Sequence, residues 1–436
     1  MTMDKNSSIL KYQGVNYLIP FILITACFAL WGFANDVTNP MVKAFSKIFR
    51  MSVTEGALTQ VAFYGGYFAM ALPAALFIRR YTYKKGILMG LGLYAAGAFL
   101  FIAARSTGAY WPFLIAYFIL TCGLSFLETS ANPYILAMGS PETATRRLNF
   151  AQSFNPIGSL CGMFVAMNFI QARLNPLSSA ERAALSSEEF EAIRQSDLGI
   201  LIKPYVVIGL VIVVMFLLIW LVRMPHVKEE NKGSIRETLR DLISKKRYRE
   251  GVIAQFFYVG VQIMCWTFII QYGTRIFMER GMSEIDAEVL SQRYNIAAMI
   301  IFCCSRFICT WLMKWLSPGK MLHIFALGGI AFTLGVIFLQ GIAGLWCLVA
   351  VSACMSLMFP TIYGIALDGL GEDAKFGAAG LIMAILGGSV LPPLQAMLID
   401  QGSIAGMPAV NVSFVLPMIC FVVIALYGYR VFRGRI

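Results

Sequence analysis

Charge is scarce in this chain. Of its 436 residues only 13% are Asp, Glu, Lys or Arg, against 58% hydrophobic, and the mean hydropathy is +0.72. Such a balance excludes an ordinary soluble domain and describes a polytopic membrane protein. Histidine is nearly absent: there are two, His226 and His323, both read as lying at span edges away from the carboxylates. A buried metal centre is therefore not expected, and no cofactor is called for. The ten cysteines all fall inside apolar runs, where they act as small hydrophobes, so no disulfide framework is expected either. A signal-peptide pattern is also missing. The first seventeen residues are polar, and the apolar run that follows outlasts a signal core, so it is read as a first span.

What is present is a series of apolar windows, each near the roughly 20 residues needed to cross a bilayer. Twelve are expected, starting near residues 17, 56, 86, 110, 148, 200, 250, 291, 321, 343, 375 and 409. The net charge of +12 then reports orientation rather than nucleic acid. With the N-terminus inside, inner segments hold 23 of the 35 Lys and Arg residues and outer ones 11, leaving Arg306 within span 8. That excess places both termini in the cytoplasm.

A polar stretch divides six spans from six. The organisation expected is a first half over 1–222, a linker over 223–250 and a second half over 251–436. Asn132-Pro133 has a counterpart in Phe359-Pro360, and Gly158-Ser159 in Gly388-Ser389, as an ancient duplication would leave. Parallel six-helix repeats around a midplane site are one way secondary transporters are built. The outer segment 172–199 reads as a solvated cap of one or two surface helices.

The candidate chemistry starts at Glu128, at the centre of the otherwise uncharged apolar stretch FLETSANPY (126–134), eighteen residues from both Tyr110 and Arg146. A carboxylate at bilayer depth costs several kcal/mol unless it meets a cavity, a partner or a proton. Thr121, Ser125, Glu128 and Asn132 follow at helical spacing and form one polar face. The face reads as a proton or substrate path, with a clamp on a neighbouring helix as the competing use. In span 1, Asp36 and Asn39 share a face, with Asp36 shallower than Glu128. It serves either as a second titratable group or as a helix-end carboxylate near Lys43.

Amides and aromatics recur beyond these acids. Span 5 offers Gln152, Asn155 and Ser159, and span 7 offers Gln255, Tyr258, Gln262 and Trp266, each set at three- or four-residue steps. Amides donate and accept, and a flat ring covers the apolar face of a sugar, so the set fits a neutral polyhydroxylated substrate. Helix–helix hydrogen bonding is the competing use of the same residues. Arg306 is expected to snorkel or to pair with a loop carboxylate, and Asp368, Glu372, Asp373 and Lys375 to form a solvated turn. No nucleophile or acidic cluster marks an enzyme, so no catalytic residue is assigned. The Pro-broken spans and the two-half plan disfavour a channel.

The runs LETSANP (127–133), LNFAQSFNPIGS (148–159), AQFFYVGVQIMCW (254–266) and FPTIYGIALDGLGEDAKFG (359–377) resemble, in order, the fucose:proton symporters of the major facilitator superfamily. The resemblance covers nearly the whole chain. It implies an all-α integral membrane protein of twelve transmembrane helices in two six-helix bundles, monomeric in the inner membrane of a cell. It implies proton-coupled uptake of a neutral sugar, fucose first, by alternating access. Glu128 matches the family's proton-coupling glutamate, Gln152 and Asn155 its span 5 amides, and Gln255 and Gln262 those of span 7. One departure stands out. The family's span 1 aspartate falls where this chain has Asn39, whereas its own acid, Asp36, lies one turn earlier. Either Asp36 takes over that role or Glu128 handles the proton alone. A uniporter, or a symporter of glucose, galactose or an amino sugar, would show the same features.

Overall fold

The computed structural model describes residues 11–12, 15–51, 58–177, 181–182, 184–225 and 235–436; His226 and Lys43's side chain lie outside the described residues. Among the described residues twelve helical spans are long and apolar enough to cross a membrane. They are span 1 (Leu18–Asp36), span 2 (Val61–Arg80), span 3 (Tyr83–Thr107), span 4 (Trp111–Ala137), span 5 (Pro141–Ile170) and span 6 (Ser187–Leu221). Span 7 (Lys246–Met278), span 8 (Val289–Leu312), span 9 (Pro318–Phe338), span 10 (Ile342–Leu367), span 11 (Ala374–Ile399) and span 12 (Ala409–Phe432) complete the series. Two short hairpins, Lys11–Tyr12 with Val15–Asn16 and Ser403–Ile404 with Met407–Pro408, are the only strands among the described residues.

Local signals set the ends. Span 3 begins where Thr82 accepts from the Lys85 N–H and stops at Gly108, whose φ of 62° lets its N–H reach back to the Arg105 carbonyl. Small residues set the spacing between spans. A Cβ at Gly97 would press on the backbone of Leu120, and one at Gly123 on that of Tyr94, so spans 3 and 4 touch nearly backbone to backbone. Span 4 is the most enclosed of the twelve, with 83% of its apolar window buried against 28% for span 6. A helix so enclosed faces protein rather than lipid, so its polar face is built for protein contacts or a cavity.

From Ser187 onward, the segment expected as surface helices is instead the start of span 6. Ser187–Leu221 is one helix of 35 residues, opened by a capping box of Ser186 and Glu189 and carried through Pro204. At 1.5 Å per residue it is about 52 Å long, well beyond the roughly 30 Å of hydrocarbon, so its first turns stand outside the membrane. Nor is the outer segment merely solvated. Arg182 and Asp197, 0% and 1% exposed, pair at 2.6 Å, and Arg182 also donates to the carbonyls of Asn175 and Leu177. Arg50 donates to the Arg182 carbonyl.

Among the described residues four spans are interrupted, span 12 running as Ala409–Val412 and then Val415–Phe432. Span 5 runs as Ala144–Gln152 and then Asn155–Val165, span 10 as Ile342–Met355 and then Met358–Leu367, and span 11 passes through a short 3₁₀ turn at Ala384–Leu386. In spans 5 and 11 the interruption comes a few residues before the Gly-Ser pair. Span 4 stays continuous through Pro133.

The chain forms two compact units. One comprises 1–139 and 154–229, the other 140–153 and 230–436. The division cuts span 5 at its break, so the helix Ala144–Gln152 belongs with spans 7 to 12 and the helix Asn155–Val165 with spans 1 to 4 and 6.

Candidate functional site

In the first unit the polar face of span 4 is fully enclosed: Thr121, Ser125 and Asn132 are 0% exposed and Glu128 is 5% exposed. Glu128 meets a hydroxyl, not a cation. Tyr67 of span 2 donates its Oη proton to Glu128 Oε1 at 3.1 Å, while Glu128 Oε2 has no hydrogen-bond partner among the described residues. The same Tyr67 Oη stands 3.5 Å from Asn35 Oδ1 of span 1. Ser125 Oγ donates to the Tyr67 carbonyl at 3.0 Å and fixes span 2 to span 4 at this level. Asp36, the neighbour of Asn35, is half-buried and interacts electrostatically with Tyr64, one turn before Tyr67. Two tyrosines thus line spans 1 and 4, one beside each acid. Asn39 lies one turn further along the same helix, with its side chain outside the described residues.

Two of the span 5 groups are engaged with backbone. Asn155 Nδ2 donates to the Phe28 carbonyl at 3.1 Å and Ser159 Oγ to the Gly32 carbonyl at 3.3 Å. Span 1 comes this close because Gly158 faces Ala29 with no side chain between them. For these two donors, helix-to-helix bonding is the arrangement observed. The carbonyl oxygen of Asn155 is left for other partners.

The second unit holds the span 7 set. Gln255 is 0% exposed, yet neither its amide nitrogen nor its oxygen has a hydrogen-bond partner among the described residues. A buried amide left unpaired costs about 1–3 kcal/mol, and that cost is recovered when a ligand supplies the missing bonds. Tyr258 is also fully buried, and its hydroxyl lacks a well-formed hydrogen bond but faces the Arg306 guanidinium. Gln262 and Trp266 are half-buried, one and two turns further on. Trp266 donates its indole N–H to Ser352 Oγ at 3.2 Å and stands edge-on to Phe302, with ring centroids 4.9 Å apart. Gln152 is 3% exposed, and its main-chain carbonyl accepts from Arg306 Nη1 at 3.0 Å.

Arg306 departs from its expected role. It neither snorkels nor pairs with a loop carboxylate: it is 4% exposed and donates to the carbonyls of Gln152 and Ser356. Residue types could not reveal this, because its partners are main-chain oxygens. The available signal was a lone Arg in an apolar span with no acid at helical spacing. The charged turn after span 10 also differs from the solvated one expected. Lys375 is 3% exposed, although Asp368 pairs at the surface with Arg247 at 3.0 Å. Among the described residues no three His, Cys, Asp or Glu side chains form a metal-binding group.

The comparisons with known proteins agree with one another. The pattern of the Major Facilitator Superfamily matches residues 22–393. The L-fucose-proton symporter of Haemophilus influenzae is 56% identical, with 97% of this chain and 99% of that protein covered. A glucose/galactose transporter of Brucella abortus is 30% identical over 95% of this chain and 94% of that one. The crystal structure of the transporter FucP in an outward conformation superimposes with a TM-score of 0.86 at 33% identity, covering 95% of this chain and 98% of that one. The resemblance read from four short runs therefore extends over the whole fold: the chain belongs to the major facilitator superfamily, as a member of its fucose:proton symporter family.

Proposed function

We propose that this protein imports a neutral monosaccharide, L-fucose first, together with protons moving down their gradient, by alternating access. The observation that carries the reading is Glu128: a carboxylate at membrane depth, 5% exposed, bonded through one oxygen to a tyrosine and through the other to nothing described. Such a group is costly as an anion and inexpensive as an acid, so its charge can be coupled to a transport step. The 56% identity to a protein known as an L-fucose-proton symporter supports both the substrate and the coupling ion.

In this reading Glu128 takes up a proton from the outer side, which removes the cost of enclosing its charge. Sugar is then held by Gln152, Asn155, Gln255, Tyr258 and Gln262 through their amides and hydroxyl, and by Trp266 through its ring, with Asn39 contributing from span 1. After the protein opens inward and the sugar leaves, Glu128 releases its proton to the cytoplasm. Asp36, half-buried in span 1, is a second group able to carry a proton. We read 1–222 and 251–436 as the two six-span halves joined by 223–250. The protein is a monomer in the lipid of an inner membrane, both termini cytoplasmic.

Uptake of labelled sugars into liposomes, with and without an imposed proton gradient, tests this directly. L-fucose should accumulate only with the gradient. Equal uptake without it would make the protein a uniporter. The 30% identity to a glucose/galactose transporter supports one alternative, a different neutral sugar. Preference for glucose or galactose across the panel would establish it.

A further inference from the structure

Arg306 carries a buried charge that the roles assigned above leave unused. Its head group forms no ion pair with a carboxylate among the described residues and rests 4.7 Å over the ring of Phe302. What it does meet are two helix ends. Nη1 donates to the carbonyl of Gln152, the last residue of the helix Ala144–Gln152, and Nε to the carbonyl of Ser356, the C-cap of the helix Ile342–Met355. The final carbonyls of a helix have no partner within it and carry about half a negative charge. Two such ends sum to roughly the single positive charge that Arg306 brings. Its counter-ion is therefore built from backbone, at the breaks in spans 5 and 10.

We propose that Arg306 is a latch, fastening the first half of span 5 to spans 8 and 10 and holding Gln152 in position. Neighbouring contacts point the same way. Asn149 Nδ2 donates to Thr361 Oγ1 at 3.2 Å, and Thr145 packs on Gly364, where a side chain would collide with it. These contacts tie Ala144–Gln152 along its length to the second half of span 10, but they are uncharged, and only Arg306 sits at its end. Beyond the break at Ser153 and Phe154 the same span bonds to span 1 through Asn155. The break is thus the hinge at which the latched segment can separate. The structure is the latched state. When the latch opens, Arg306 loses one of its two helix ends, and Gln152 leaves with the segment that carries it.

The latch is read out by distance. Nitroxide labels at Glu142→Cys, at the foot of span 5, and Arg249→Cys, at the start of span 7, occupy exposed positions; the native cysteines are replaced. Pulsed dipolar spectroscopy of the full chain in detergent should give one dominant distance with Arg306 present. Arg306→Gln should add a longer population, and Arg306→Lys, which keeps the charge but not the two-pronged donor, should fall between. In liposomes Arg306→Gln should raise the KM for L-fucose about tenfold, the loss expected for one charge-assisted hydrogen bond, and Arg306→Lys should recover part of it. Distance distributions that match the parent in both variants overturn the proposal. So does an unchanged distribution in Arg306→Lys alone, should Arg306→Gln not fold. The KM readout rests on the sugar–proton reading given above. The distance readout does not, so a protein that fails to carry L-fucose could still show the latch.

Discussion

The Tyr67 hydroxyl lies 3.1 Å from Glu128 Oε1 and 3.5 Å from Asn35 Oδ1, and it has one proton to give. An ionised carboxylate competes best for that proton; a protonated one leaves it free for Asn35. The charge on Glu128 in span 4 is thereby made known to span 1. Tyr67→Phe removes the hydroxyl and keeps the ring. We expect L-fucose accumulation driven by a proton gradient to fall about tenfold, the worth of one hydrogen bond to a charged group. The folded protein should remain monodisperse in gel filtration. Accumulation at the parental level would show that the hydroxyl is not needed.

Gln255 offers a trade between stability and function. Because neither amide atom is bonded, Gln255→Leu should leave the Tm in detergent unchanged or raise it, by up to ~1 kcal/mol of stability. On the proposed function, in which this amide bonds the sugar, the same change should raise the KM for L-fucose about tenfold. A lower Tm with unchanged KM would assign Gln255 to the structure instead.

The buried pair Arg182 and Asp197 should behave asymmetrically. Asp197→Ala leaves a buried guanidinium without its counter-ion and should cost about 3–5 kcal/mol, whereas Arg182→Leu with Asp197→Ala together should cost less than Asp197→Ala alone. Thermal unfolding of Asp197→Ala, of Arg182→Leu alone and of the double variant decides the matter. Additive losses would mean that the pair is not coupled.

The spans were legible because lipid imposes a length and an apolar composition that soluble proteins do not need. Spans 3, 10 and 12 begin within a few residues of where hydropathy puts them. Span 6 was misjudged because hydropathy detects the membrane and not the helix: Ser187 to Asp197 is polar but continues the same hydrogen-bonded ladder. The enclosed polar face of span 4 could be seen from spacing alone, as four small or polar side chains at three- and four-residue steps. Tyr67 could not, since nothing in span 2 marks which of its tyrosines points at Glu128. Arg306 was out of reach for a deeper reason. Its partners are the carbonyls at two helix breaks, which no residue type announces, and Pro156, two residues beyond the break in span 5, was the nearest hint.

The central claim is that Glu128 couples the proton to the sugar. Its most direct test is Glu128→Gln in liposomes, which keeps size and hydrogen bonding but cannot ionise. The variant should exchange labelled L-fucose across the membrane when sugar is present on both sides, yet fail to concentrate it when only a proton gradient is imposed. Parental accumulation under that gradient would contradict the account.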